Sequence, residues 1–226
     1  MKVRYRILSV SLGLLVCSGT IAVAQEEPDL QAIAAGIQQN QESLRNYAWE
    51  SRMSVALDGE QKKVDVYQVR YDMDDQLQKT RIGGEADTKK VRGPVRKKAV
   101  KNKKKEAGEF AAELQGQLAK YTEPASLQKA VKNAFAKTED GIYKLRAQDI
   151  VQDGDSMLIE VVHATKQPVS ITIETAVEGA PVVLKVMFRK LADGTNYIAQ
   201  STIDTEFDKK KLEVVTENYN HIKQGG

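Results

Sequence analysis

Apart from carboxylates scattered along the chain, few side chains in this sequence could exchange a proton with a substrate or coordinate a metal ion. The chain has two histidines, His163 and His221, and one cysteine, Cys17. Acid–base catalysis and metal binding draw mainly on histidine, cysteine and carboxylates that are held close together. We expect His163, which ends the apolar segment 160–163, to be a partly buried sheet residue, and His221 to lie near a frayed C-terminus. The sequence therefore favours a protein without enzymatic activity, cofactor or metal site.

The acidic tripeptide Asp153-Gly154-Asp155 has the spacing with which a calcium-binding loop begins. The later oxygen ligands and the central glycine of such a loop are missing, so we interpret the tripeptide as a turn. Neither a nucleophile elbow nor a glycine-rich phosphate loop occurs elsewhere in the chain.

A dense basic run lies between residues 89 and 105, which contain ten basic residues and no acidic one. Such a run is ordinarily a solvated helix start. Cations in the first helical turn oppose the helix dipole by ~0.3–1 kcal/mol each, however, and an external anion would relieve this strain. We therefore also predict contact with an anionic membrane surface or an acidic partner through Arg96, Lys97, Lys98, Lys101, Lys103, Lys104 and Lys105.

The N-terminus predicts a secretory signal peptide over residues 1–24. Three cations precede a mostly apolar run from Ile7 to Val16, and Ala22-Val23-Ala24 supplies the small residues of a cleavage site. Cleavage after Ala24 would place the protein in the periplasm or outside the cell. Nucleic acid is then not expected as a partner.

Two alternatives to simple cleavage remain open. Lipid attachment at Cys17 requires a cysteine after apolar residues, but Val16 stands where a small residue is usual. An uncleaved anchor is disfavoured because the apolar run is shorter than the ~20 residues that cross a bilayer. If Ala24 is the cleavage site, the mature chain contains no cysteine and cannot form disulfides.

Composition is typical of one globular domain, here residues 25–226. The 226 residues are 41% hydrophobic and 29% charged, which excludes wholesale disorder, collagen-like repeats and a multispan membrane protein. Without the signal peptide the chain has 31 basic and 31 acidic residues. Its near-neutral total hides a basic segment in an otherwise acidic protein.

The first part of the mature chain predicts a helix followed by three strands. Apolar residues recur at helical spacing from Pro28 to Asn46, and Asp29 suits the positive end of a helix. Alternation then predicts a strand that begins at Tyr47, a hairpin at Asp58-Gly59, and two further strands that end near Ile82.

The centre of the chain predicts a helical insertion at about residues 89–137. One helix is expected from Pro94 to about Tyr121, and a second from Pro124 through Phe135, closed by Asp140-Gly141. From there to Lys223, turn signals every ten to fifteen residues predict an antiparallel meander. The fold class is thus α+β, with an antiparallel sheet covered by an N-terminal helix and a central helical insertion.

Several segments resemble the LolA-like periplasmic lipoprotein-carrier superfamily and uncharacterised exported bacterial proteins. They are the stretch 44–47 with Trp49 and Arg52, Asp58-Gly59, the segments 69–72 and 77–80, and the ending 193–197 through 217–219. The resemblance implies a strongly curved sheet, half of a barrel, whose concave apolar face is covered by helices and can hold acyl chains. It also implies that the protein could instead be a sensor domain for envelope lipoproteins.

Five aromatic residues could either line a ligand cavity or form a core beneath the covering helices: Trp49, Tyr67, Tyr71, Tyr197 and Phe207. We expect the ligand-lining residues to be Trp49, Met53, Tyr67, Tyr71, Phe188 and Tyr197. The function predicted from these residues and the resemblance is binding of a lipid or an acylated protein on the apolar face. The alternative is an envelope interaction or sensor module with a self-filled core and a basic helix that contacts an anionic partner. The oligomeric state is left open.

Overall fold

The structure is a computed structural model that describes residues 29–74, 76–84 and 94–224, apart from the side chains of residues 94–104. The predicted signal peptide, Cys17 and Ala24 lie outside the described residues. Within them, the helices are α1 (Leu30–Leu44), α2 (Pro94–Thr122) and α3 (Pro124–Asn133). The strands are β1 (Tyr47–Leu57), β2 (Glu60–Tyr71), β3 (Leu77–Gly83), β4 (Phe135–Glu139), β5 (Ile142–Gln148), β6 (Ser156–Val162), β7 (Pro168–Val177), β8 (Ala180–Lys190), β9 (Asn196–Phe207) and β10 (Lys210–Lys223).

All ten strands form one open antiparallel sheet in the order β3-β2-β1-β10-β9-β8-β7-β6-β5-β4. Every neighbouring pair is a hairpin except β1 and β10, which pair from Tyr47 opposite Lys223 to Leu57 opposite Leu212. This pairing joins the N-terminal meander to the C-terminal one across the helical insertion. The predicted α+β class and antiparallel sheet are confirmed.

The three helices cover one face of the sheet, called the inner face below. Side chains that alternate along the strands point to this face, among them Met53, Val55 and Leu57 of β1. The helices contribute the other half of the core with Ile33, Ile37, Ala107, Ala111, Leu114, Leu118, Leu127 and Val131. The predicted helical covering is thus present, and part of the inner face is packed core.

Helix α1 is fixed at its beginning and near its end. The Asp29 side chain accepts a hydrogen bond from the backbone N–H of Ala32 at 2.9 Å, so this residue caps the helix as predicted. Close to the C-terminal end, the Asn40 amide donates to the carbonyl of Asn196 at 2.6 Å and accepts from its N–H. These bonds hold the end of α1 against β9.

The second insertion helix is shorter than the sequence predicts. Helix α3 ends at Asn133, because Ala134 has an extended backbone (ψ 141°), and Phe135 begins β4. Asp140 and Gly141 do not close a helix. Both have positive φ, 50° and 76°, and form the two-residue turn between β4 and β5. The helical spacing of apolar residues misled the prediction, since Phe135 is 79% exposed and is not part of the core.

Candidate functional site

A cavity of about 530 Å³ lies between the inner face of the sheet and the last turns of α1 and α2. Gln41 and Leu44 of α1 and Leu118 and Thr122 of α2 form its roof. The floor comes from strands on both sides of the β1–β10 pairing and includes the apolar side chains Val69, Leu184, Val186, Ile198 and Ile203. The cavity therefore lies where the N-terminal and C-terminal meanders of the sheet join.

Short side chains explain why this part of the inner face is open. Met53, Val55 and Leu57 fill the inner face towards the β1–β2 hairpin, whereas Ser51 of β1 and Ser201 of β9 line the cavity. The roof is held at a distance by a hydrogen bond 2.9 Å long, in which the Gln115 amide donates to the Thr216 hydroxyl. A polar contact thus spans α2 and β10 beside the apolar volume.

Four aromatic rings form a cluster on the cavity wall. The His221 ring stacks on Trp49, with centroids 5.8 Å apart, and lies 4.1 Å from the ring of Tyr197. Trp49 also contacts Tyr71, at 6.1 Å between centroids. Burial lowers the pKa of His221, so the imidazole is neutral at pH 7 and serves as part of this surface.

His221 was wrongly predicted to lie near a frayed terminus. It belongs to β10, which runs to Lys223. Asn220 has a positive φ of 52°, and the β1–β10 register shifts where Ala48 pairs with Ile222 and Glu50 with Tyr219. This bulge places both Asn218 and His221 on the cavity, although strict alternation would place them on opposite faces. In the sequence, Asn220 was the available signal for this bulge, because asparagine tolerates positive φ better than most residues.

Three of the six residues predicted to line a ligand site do line this cavity: Trp49, Tyr71 and Tyr197. The other three lie elsewhere on the inner face. Met53 is buried in the core, and Tyr67 donates its hydroxyl to the Asp65 carboxylate at 3.2 Å. Phe188 packs against the edge of the core. Phe207, the remaining member of the aromatic set, packs on Phe110 with ring centroids 5.1 Å apart.

Charged side chains are few on the cavity wall. Arg45 follows the end of α1, Lys79 belongs to the edge strand β3, and Glu123 joins α2 to α3. Lys79 as a whole residue is exposed to solvent. The protein around its ammonium group nevertheless excludes part of the water, and this desolvation lowers the pKa of Lys79. The sequence prediction missed both Lys79 and Arg45, because neither belongs to an apolar pattern.

The basic residues predicted to contact an anionic membrane surface or an acidic partner are only partly described by the structure. Arg96, Lys97, Lys98, Lys101, Lys103 and Lys104 belong to α2, but their side chains lie outside the described part of the structure. Lys105 is 74% exposed, and its Nζ lies 3.5 Å from Glu109. Within the described part of α2, buried side chains begin at Ala107. The buried side chains described in α2 thus begin two residues after Lys105, the last member of the basic run.

The remaining chemical candidates have structural partners. The ring of His163 lies edge-on to Tyr143 at 4.7 Å. Asp155 is buried and accepts hydrogen bonds from the backbone N–H groups of Ile150, Val151 and Gln152 at 2.7–3.0 Å, so the acidic tripeptide forms a turn as predicted. Among the described residues, no group of three or more acidic, histidine or cysteine side chains could hold a metal ion.

A second depression, of about 650 Å³, lies beside this turn and is lined mainly by polar side chains such as Arg146 and Glu174. Gln152 on its wall already donates to the Thr175 hydroxyl and the Ala176 carbonyl. No apolar surface comparable with the first cavity is present there.

In the described residues no helix combines the length and the apolar character that crossing a bilayer requires. No protein-family model and no curated protein matches the chain. Several solved structures align with it, of which two are described. One is a LolA superfamily protein from Nitrosomonas europaea, 11% identical, with a TM-score of 0.39, covering 83% of this chain and 92% of that one.

The second is a domain named for outer membrane lipoprotein sorting from Vibrio parahaemolyticus. It is 9% identical, with a TM-score of 0.39, and the alignment covers 88% of this chain and 94% of that one. The first of the two names is that of the superfamily that the sequence resembles. At 9–11% identity and a TM-score of 0.39, the two alignments carry no conclusion about what this chain does.

Proposed function

We propose that this protein binds lipid, with one or more acyl chains in the cavity between the sheet and helices α1 and α2. The observation that carries the proposal is the apolar cavity of about 530 Å³. Ligand pockets in proteins commonly enclose ~300–1,000 Å³. Transfer of an acyl chain from water to such a surface is worth ~0.8 kcal/mol per methylene, before ordering costs are subtracted. An acylated protein would present the same chemistry.

Export belongs to the same proposal. Cleavage after Ala24 would release the protein into the periplasm or the medium. A cavity for acyl chains would shield a lipid from water in such an aqueous compartment. The role is one of binding without catalysis. The basic run at residues 89–105 would bring the carrier to an anionic membrane surface.

Fluorescence titration tests ligand binding, since Trp49 is the sole tryptophan and lines the cavity. Delipidated protein is titrated with oleate and with uncharged monoolein, both below their aggregation concentrations. We expect a saturable change in Trp49 emission with at least one of them. No saturable change with either would contradict the proposal.

A matched pair of variants assigns the response to the cavity. Ala119 of α2 lines the cavity, whereas Ala112, two turns earlier, is exposed and lies outside it. Ala119→Phe should weaken binding at least tenfold by filling the volume, and Ala112→Phe should leave it unchanged. Equal effects of the two substitutions would place the ligand elsewhere.

The second candidate function is an envelope interaction or sensor module. It is favoured by the burial of Ile33, Leu114 and Leu127 from three different helices against the sheet, which fills part of the inner face with the protein's own side chains. Copurification distinguishes the candidates. Native mass spectrometry of protein purified from its own envelope should detect bound lipid for a carrier, and an empty protein for a sensor.

A further inference from the structure

We infer that the ligand of this cavity is an anionic amphiphile whose head group pairs with the ammonium group of Lys79. This inference rests on the proposed function and names the class of lipid that the same cavity takes. The anionic group is a carboxylate or a phosphate, which a single lysine can bind equally well as a point charge.

Lys79 lies where an amphiphile would leave its head group. It belongs to β3, the edge strand of the sheet, and pairs there with Val69 of β2. Leu77 and Lys79 are alternate residues of β3, and both line the cavity. An apolar side chain and a cation thus lie side by side along the sheet edge, where both residues are exposed to solvent.

Lys79 also differs from its cationic neighbours in having no ionic partner among the described side chains. Lys63 and Arg81 both pair with the buried carboxylate of Asp65, at 2.8 Å each. Among the described side chains no carboxylate bonds Lys79, although desolvation at the cavity wall disfavours its charged form. A ligand anion would compensate this cost and convert an unpaired cation into a charge-assisted hydrogen bond.

Lys79 is the cation of the wall on which the inference rests. Arg45 and Glu123 also line the cavity, but Arg45 already has an interaction of its own. His221 adds no charge at pH 7, because burial lowers its pKa.

Three ligands with one oleoyl chain test the inference: oleate, lysophosphatidate and the uncharged monoolein. We expect the wild type to bind at least one of the anions about tenfold more tightly than monoolein, which corresponds to ~1.4 kcal/mol. Tighter binding of lysophosphatidate would identify a phosphate head group, and tighter binding of oleate a carboxylate.

Substitutions then assign the preference to Lys79. Lys79→Met should remove it by weakening the anions about tenfold while leaving monoolein unchanged, and Lys79→Arg should retain it. Lys185→Met is the control, because Lys185 is an exposed strand residue between Leu184 and Val186 and points away from the cavity.

The outcomes separate this inference from the proposed function. If monoolein binds as tightly as both anions, or if Lys79→Met keeps the preference, the anionic head group is wrong and lipid binding stands. If none of the three ligands binds, both fail.

Discussion

The imidazole of His221 stacks on the indole of Trp49, with ring centroids 5.8 Å apart and ring planes inclined by 15°. These residues are 172 positions apart in the chain, and they meet because β1 pairs with β10. The contact links the two meanders at the wall of the cavity. A histidine in this place makes the wall sensitive to pH.

We expect acidification to weaken the protein through His221. Burial lowers the pKa of its imidazole in the folded state below the ordinary value of 6.5. The unfolded chain therefore binds more protons between the folded-state pKa and 6.5, and stability falls as the pH drops through that window. Urea denaturation at pH 7.5 and 5.5 should show a smaller loss of stability for His221→Phe, which keeps the stacked ring without its titration. An identical loss in both proteins would argue against this assignment.

Asn220 should determine whether His221 reaches the cavity. Its φ of 52° is unfavourable for a β-branched side chain, so Asn220→Val should cost ~1–2 kcal/mol and disturb the bulge. Asn220→Gly is the matched control, because glycine adopts this conformation without strain. The measurements are urea denaturation and Trp49 emission, which reports the contact with His221. If valine is tolerated as well as glycine, the bulge does not depend on this residue.

Asp65 should stabilise the β2–β3 hairpin that carries Lys79. Burial alone would raise the pKa of Asp65, but the bonds and charges of Lys63 and Arg81 lower it overall. Stability from this group is present at neutral pH and is lost as the pH falls below about 3.8, the ordinary value, towards the folded-state pKa. Asp65→Asn should cost ~1–3 kcal/mol at pH 7. The cost is measured by urea denaturation.

The control for Asp65 is Asp204→Asn. Among the described side chains Asp204 pairs with one cation, Lys211, at 3.2 Å, and its side chain is 32% exposed against 2% for Asp65. A smaller loss is expected there, since exposed ion pairs contribute little. Equal losses in the two variants would show that the burial of Asp65 is not what matters.

Replacement of Ala24 by glutamate should block removal of the signal peptide, because a charged side chain stands where the cleavage site requires a small one. N-terminal sequencing of the exported wild-type protein should begin at Gln25. A mature N-terminus elsewhere, or a lipid detected by mass on Cys17, would contradict cleavage after Ala24.

The basic run should bind anionic liposomes at low salt and release them at high salt, because charges at the surface are screened over ~8 Å at physiological ionic strength. Each cation near an anionic membrane contributes ~1 kcal/mol. Replacing Lys97, Lys98, Lys101, Lys103, Lys104 and Lys105 by glutamine should abolish cosedimentation without loss of thermal stability. Retention of the glutamine variant, or no binding of the wild type at any salt concentration, would leave the run as a solvated helix start.

Local patterns in the sequence were sufficient for the fold class and for most elements. Alternation from Tyr47 to Leu57, the turn at Asp58-Gly59 and the cap at Asp29 depend on neighbours along the chain, and all were confirmed. The same reasoning was wrong at Phe135, where a helical apolar spacing continued into a strand. Periodicity over a few residues does not distinguish a helix end from a strand start when the side chain is not buried.

The cavity depended on tertiary structure in two ways. Trp49, Tyr71 and Tyr197 could be identified as an aromatic face. Met53 shares that face but lies in the core, because the helices pack directly on one part of the inner face and leave the cavity over the other. His221 and Lys79 joined the wall through a bulge and an edge strand, neither of which alternation reveals. Secondary structure follows from local residue preferences, whereas a cavity is the volume that packing leaves unfilled, and only the arrangement of helices over the sheet determines that volume.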